Sequence, residues 1–328
     1  MNDSNSSVHI VKISTINAIS NIFGYFIIPG LSAIGMVLNL LITILLGKNK
    51  FKHKFYKYLC CKTIIDVMIC FNGIGFMNSY CSICQENISN TFLLQIYRQH
   101  LVKNSLRVLL SISSLFEVFL SLNRFMTILN KKNIFSDIRT SILMTVIFLI
   151  CFTLFIPYLI LITIQEHKKK YIIVYNFSNP FAIFHSLIVG CVEFIIPLFS
   201  VFVLNILIHK SYQKRIKDRT VKPIRKVKFI KIVVLLGTLY LIVRSCDFFV
   251  SIIKRLCYFF KMNKEYSDYS ESWINLIRQI SFSMLYLSLS LNVIIYFLFD
   301  KNIYGHIKRY LNKVKISFNN LLTILFPY

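Results

Sequence analysis

Seven apolar stretches, each long enough in helical form to cross a bilayer, take up most of this chain. A hydrocarbon core of about 30 Å calls for about 20 apolar residues per crossing. In that solvent only helices and closed barrels satisfy their own backbone hydrogen bonds. The pattern therefore points to an all-α, seven-transmembrane helix bundle. The expected spans are Phe23–Leu46, Lys57–Tyr80, Leu101–Leu129, Thr140–Ile164, Phe181–His209, Lys226–Leu256 and Ser272–Phe299. They divide the chain into an outer segment (1–22), a membrane domain (23–299) and a tail (300–328). An odd number of crossings puts the two ends in different compartments, the geometry of a signal carrier.

Composition matters here through charge. Only 16% of residues are charged and 56% are hydrophobic, with a mean hydropathy of +0.63. A soluble domain carries about 25% charged residues. A net charge of +25 raises the question of nucleic acid. The Lys and Arg residues, however, lie in short segments between apolar spans, where the positive-inside rule explains them and no nucleic-acid partner is needed. Counted with their flanking positions, the loops after spans one, three and five and the tail hold 24 of the 38 basic residues. Lys210–Lys231 alone has ten, with Asp218 as its one acid. This face is expected in the cytoplasm, against anionic headgroups. Four N-x-S/T sequons, at Asn2, Asn5, Asn87 and Asn176, all fall on the opposite side, where glycosylation takes place. The amino end is expected outside, with the plasma membrane as the location. Met1–Ser20 lacks the apolar core of a cleaved signal, so the first span is expected to act as the insertion signal.

Enzyme signatures are absent from the sequence: there is no G-x-x-x-x-G-K and no H-E-x-x-H, and the nine glycines form no phosphate-cradling loop. Cys81-x-x-Cys84 has metal or redox spacing but no second pair, so a structural role is the plainer reading and no metal is expected. No internal repeat with paired, broken helices is visible, which weighs against a transporter.

The spans also carry ordered motifs. Span one has Gly35-Met36-Val37-Leu38-Asn39, and span two Lys62-Thr63-Ile64-Ile65-Asp66. Span three ends in Leu122-Asn123-Arg124-Phe125, and span five has Phe194-Ile195-Ile196-Pro197-Leu198. Span seven closes with Asn292-Val293-Ile294-Ile295-Tyr296, followed by Phe299-Asp300-Lys301-Asn302-Ile303-Tyr304. In this order the motifs resemble those of rhodopsin-like (class A) G-protein-coupled receptors. Leu289–Lys301, Ile195–Ile208 and the form of span six, Val243-Arg244-Ser245-Cys246-Asp247, look most similar to invertebrate receptors for FMRFamide-type neuropeptides.

The resemblance implies an extracellular ligand, a neuropeptide by subgroup, and a heterotrimeric G protein as partner. The same fold could instead sense a small molecule. It implies a short amphipathic eighth helix in the tail. It also implies a polar switch network of Asn39, Asp66, Ser113, Ser288 and Asn292, able to hold a sodium ion. No other cofactor is implied. Asn123, Arg124, Phe125 and Tyr296 correspond to the G-protein-coupling end. Because Asn123 stands where an acid would restrain Arg124, raised basal signalling is expected.

Helical rise puts Arg107 about 25 Å outward from Arg124, in the half where ligands bind. Glu193, Arg244, Asp247 and Arg278 are expected there too, as a pocket of three arginines and two acids. The competing reading is that Arg107 pairs with Glu193 and Arg244 with Asp247, purely for stability. Leu106 stands where amine receptors carry an acid, which argues against a monoamine. The span-three cysteine that many members bridge corresponds to Gln99, and Ile164–Pro180 has no cysteine, so that bridge is not expected. Lys62 is expected to reach back to the cytoplasmic interface. Glu117, in mid-span three, is assigned no role.

Overall fold

The computed structural model describes residues 14–47, 54–80, 103–129, 140–167, 170–175, 180–217, 235–250 and 264–299, with Ile252 and Gly305. Among them the chain is helical apart from one two-stranded hairpin. Seven helical rods follow one another: α1 (Ser14–Gly47), α2 (Lys54–Tyr80), α3 (Ser105–Leu129), α4 (Thr140–Leu161), α5, α6 (235–250) and α7 (Lys264–Phe299). The fifth rod is built from Pro180–Gly190, the π-turn Cys191–Ile195 and Ile196–Lys217.

Four of these rods contain stretches long and apolar enough to cross a membrane: Ser14–Gly47, Ser105–Thr127, Leu187–Ser211 and Ser272–Tyr296. Ser141–Pro157 is apolar but shorter. Beside an apolar core, the burial pattern departs from that of a protein folded in water. Phe26, Phe71 and Phe199 are 72%, 69% and 68% exposed, whereas Asp66 and Arg124 are 1% and 2% exposed. Apolar side chains facing out and charges facing in suit hydrocarbon as the solvent.

Two π-turns share one cause. Phe23–Ile27 and Cys191–Ile195 each run directly into an Ile–Pro pair, Ile28-Pro29 and Ile196-Pro197. A proline inside a helix has no N–H to give and its ring clashes with the carbonyl four residues back. In both places the isoleucine N–H bonds five residues back, to Phe23 O and to Cys191 O. The wider turn makes room for the ring.

α1 packs along α2 and α7, while α2 and α5 pack along α3, whose Ile112, Phe116 and Leu120 are completely enclosed. The approach of α1, α2 and α7 is close. A Cβ added at Gly73 would meet Ser32 Oγ of α1 and, at 2.5–2.6 Å, the Tyr286 ring of α7. Small residues at helix contacts take the place of a hydrophobic driving force that lipid does not supply.

Several boundaries differ from those expected, among them the end of α5, which runs on past His209 to Lys217. α1 starts at Ser14, not Phe23, because Ile16 and Ser20 bury one face of two additional turns. α7 starts at Lys264, ahead of Ser272, since polar residues continue its helix beyond the apolar part. The chain after α4 is not simply a span end and loop: Ile162–His167 pairs antiparallel with Lys170–Tyr175, from Ile162↔Tyr175 to His167↔Lys170. The β-branched and aromatic residues Ile162, Thr163, Tyr171, Ile172, Ile173 and Val174 favour that extended form. The helical architecture expected from the sequence stands among the described residues, with this one hairpin added to it. The sequons at Asn2, Asn5, Asn87 and Asn176, Gln99, Cys81 and Cys84, and the expected eighth helix lie outside the described residues.

Candidate functional site: two buried charge clusters

The first cluster gathers around α3 between Ser113 and Arg124. Asp66 on α2 is almost fully enclosed and both of its oxygens are engaged. Ser113 Oγ of α3 donates to Oδ1 at 2.7 Å, and Lys62 Nζ donates to Oδ2 at 2.7 Å. Lys62 precedes Asp66 by four residues, so the two share a helix face. It is 5% exposed and does not reach back to the interface, a correction to the expectation. Two carboxylates hold it inside, because Glu117 Oε2 is 3.8 Å from the same nitrogen.

Glu117 thereby acquires a place. Its other oxygen is 3.8 Å from Arg124 Nη1. Glu117 and Arg124 are seven residues apart, about two turns, and lie on one face of α3. Arg124 Nη2 donates to the Tyr296 hydroxyl of α7, and the guanidinium carbon is 5.5 Å from the centre of the Phe55 ring of α2. The premise behind raised basal signalling therefore needs correction. Asn123 carries no charge, yet Arg124 has a carboxylate nearby in Glu117. Asn123 is itself buried and Phe125 half-buried. The row Asp66, Lys62, Glu117, Arg124 contains two anions and two cations and is neutral as a whole.

The expected switch residues are brought together only in part. Asp66 and Ser113 are bonded. Ser288 and Asn292 of α7 line a narrow cavity that Lys62 and Ser113 also line. About 20 Å³ of it is open to the centre of a water molecule, room for about one water. Asn39 does not reach Asp66: its Nδ2 donates to Gly35 O at 2.8 Å and to Leu289 O at 3.5 Å, tying α1 to α7.

A sodium ion fits these residues poorly. Its natural ligand, Asp66, already gives one oxygen to an ammonium and the other to a hydroxyl.

The second cluster borders the same cavity, whose lining includes Tyr240 and Arg244 of α6. Arg244 is 2% exposed. Its Nη1 pairs with Asp247 Oδ2 at 3.0 Å, three residues further along α6. Its Nη2 donates to the backbone carbonyl of Glu193 at 3.1 Å, and its guanidinium carbon lies 4.8 Å from the centre of the Phe194 ring. The bond to Glu193 follows from the sequence of α5. Pro197 has no N–H for the carbonyl four residues back, which is that of Glu193, and Arg244 supplies the missing donor. Arg107 and Arg278 are near enough for their charges to act on Asp247, and that of Glu193 acts on Arg244. All five expected ligand residues thus belong to one electrostatic neighbourhood. Arg107 is exposed, Arg278 half-buried and Glu193 buried.

Sequence reasoning underused Lys62 and Glu117 and overlooked Tyr240. The i, i+4 spacing of Lys62 to Asp66 and the i, i+7 spacing of Glu117 to Arg124 were the available signals. Compared with known proteins, the chain matches no family model and no curated protein.

Proposed function

We propose that the chain is a plasma-membrane receptor. Its seven helices cross the bilayer with the amino end outside, an extracellular ligand of neuropeptide class engages the Asp247 cluster, and a heterotrimeric G protein engages the Arg124 end. The observation that carries this reading is the arrangement of the two clusters. They share α3 and α7, and the bond from Arg124 to Tyr296 ties those helices together at one end. At the other end, the charges of α3, α6 and α7 converge on Asp247.

A ligand shifts a two-state equilibrium only through unequal affinity for the states. An extracellular group that competes for Asp247 or draws on its arginines changes how α6 and α7 sit against α3. The opposite ends of α3 and α7 then hold Arg124 differently. Ionisable residues within the hydrocarbon are costly, about 2.5–3.5 kcal/mol each on insertion scales. Buried ion pairs are weak contributors to stability when compared with apolar packing. A row of four such groups is thus better motivated by switching than by folding.

The test is ligand-driven nucleotide exchange on a G protein in cells expressing the chain, screened with a peptide library. Exchange is expected in the wild type and lost in Arg124→Ala at unchanged surface expression. Exchange that survives Arg124→Ala would contradict the coupling role. The same row gives a transporter its one support, since buried acids and bases also line proton paths. Proton flux into liposomes carrying the purified chain, blocked by Glu117→Gln, would favour that second reading.

A further inference from the structure

We propose that Lys62 is a built-in cation for the Asp66 site, so that the chain carries in its own covalent structure the positive charge that a bound sodium ion would otherwise supply. Three observations lead there. Lys62 Nζ is 2.7 Å from Asp66 Oδ2, a direct charge-assisted bond. The remaining oxygen of Asp66 is taken by Ser113 at 2.7 Å. The enclosed row around the site already balances, with Lys62 and Arg124 set against Asp66 and Glu117.

The balance determines the outcome. Adding sodium to this row would leave a net positive charge in a region of low dielectric, which is strongly unfavourable unless an acid is added or a cation leaves. The ammonium cannot leave, because it is attached four residues from the carboxylate on the same helix. Its second neighbour, Glu117, is also the neighbour of Arg124, so the fixed charge is linked to the α3–α7 bond at Tyr296. Removing the ammonium would leave two carboxylates facing one guanidinium, a site with an excess negative charge and oxygen ligands. That site would accept sodium.

The experiment uses the purified full chain in lipid nanodiscs. Its thermal unfolding midpoint is followed in graded sodium chloride, with choline chloride holding the ionic strength constant. The wild type is expected to unfold at the same temperature in both salts. Lys62→Met is expected to gain a sodium-specific rise of about 2–4 °C once sodium exceeds its dissociation constant about tenfold. The double variant with Asp66→Asn is expected to lose that rise. A sodium-specific rise in the wild type that Asp66→Asn abolishes would overturn the proposal. So would a folded Lys62→Met that is as indifferent to sodium as the wild type. If Lys62→Met does not fold, sodium-23 line broadening by the wild type and by Asp66→Asn decides the question. Excess broadening by the wild type refutes the proposal, and equal spectra support it. None of these measurements depends on G-protein coupling, so their failure and the failure of the receptor reading are distinguishable.

Discussion

Replacing Arg244 by methionine removes three interactions at once, and the structure gives the geometry of each. The residue is enclosed, pairs with Asp247 at 3.0 Å, donates to the Glu193 carbonyl at 3.1 Å and lies 4.8 Å from the Phe194 ring centre. Breaking one half of a buried ion pair costs about 3–5 kcal/mol. The charges of Arg107 and Arg278 also act on Asp247, so the low end applies. Loss of the bond to the buried Glu193 carbonyl adds about 1–3 kcal/mol. These contributions share a side chain and are not additive, so a total of about 4 kcal/mol is expected. At about 2 °C per kcal/mol for a chain of this size, the unfolding midpoint should fall by about 8 °C. A thiol-reactive dye can report it, because Cys70 and Cys151 are unbridged and buried until the helices separate. The double variant Arg244→Met/Asp247→Leu removes the stranded carboxylate but leaves the Glu193 carbonyl without its donor. It should recover about half of the loss. A single variant as stable as the wild type, or a double variant whose loss is the sum of the two single losses, would refute the reasoning.

Three further substitutions probe other contacts in the protein. Tyr296→Phe deletes the acceptor for Arg124 Nη2, a charge-assisted bond worth about 1.5–3 kcal/mol. Basal nucleotide exchange should rise at least several-fold, and an unchanged baseline would show that this bond does not hold the resting state. Glu117→Gln should raise the baseline as well, through the loss of the carboxylate beside Arg124. Gly73→Ala puts a methyl group against Ser32 and the Tyr286 ring, where overpacking costs about 1–3 kcal/mol. A lower midpoint is expected, with Gly30→Ala as the control because nothing lies within 4 Å of its added carbon.

Hydropathy made the helices legible, because each apolar stretch of about 20 residues has few other folds open to it in lipid. It did not mark their ends. Ser14–Ile22 and the first residues of α7 are too polar to register, yet they extend their helices. The hairpin was hidden for the opposite reason, since Ile162, Thr163 and Ile164 continue the apolar run of α4 and only pairing reveals them as strand. Sites were legible where a residue acts through its own helix. The bond of Arg244 to Asp247 could be read from a spacing of three. Contacts between helices were harder to foresee. Lys62 looked like an interfacial lysine because its second acid, Glu117, lies on a different rod. The resemblance groups Asn39 with Asp66, but its amide bonds to the backbones of α1 and α7. The donor that Arg244 gives to the Glu193 carbonyl follows from Pro197, but only once α5 and α6 are known to be adjacent.

The proposed receptor threads the membrane seven times with its amino end outside. Epitope tags at the two ends, probed in intact and then in permeabilised cells, test it without any knowledge of the ligand. The amino-terminal tag should be labelled on intact cells, and the carboxyl-terminal tag only after permeabilisation. Both tags labelled in intact cells, or both protected until permeabilisation, would mean an even number of crossings and contradict the account.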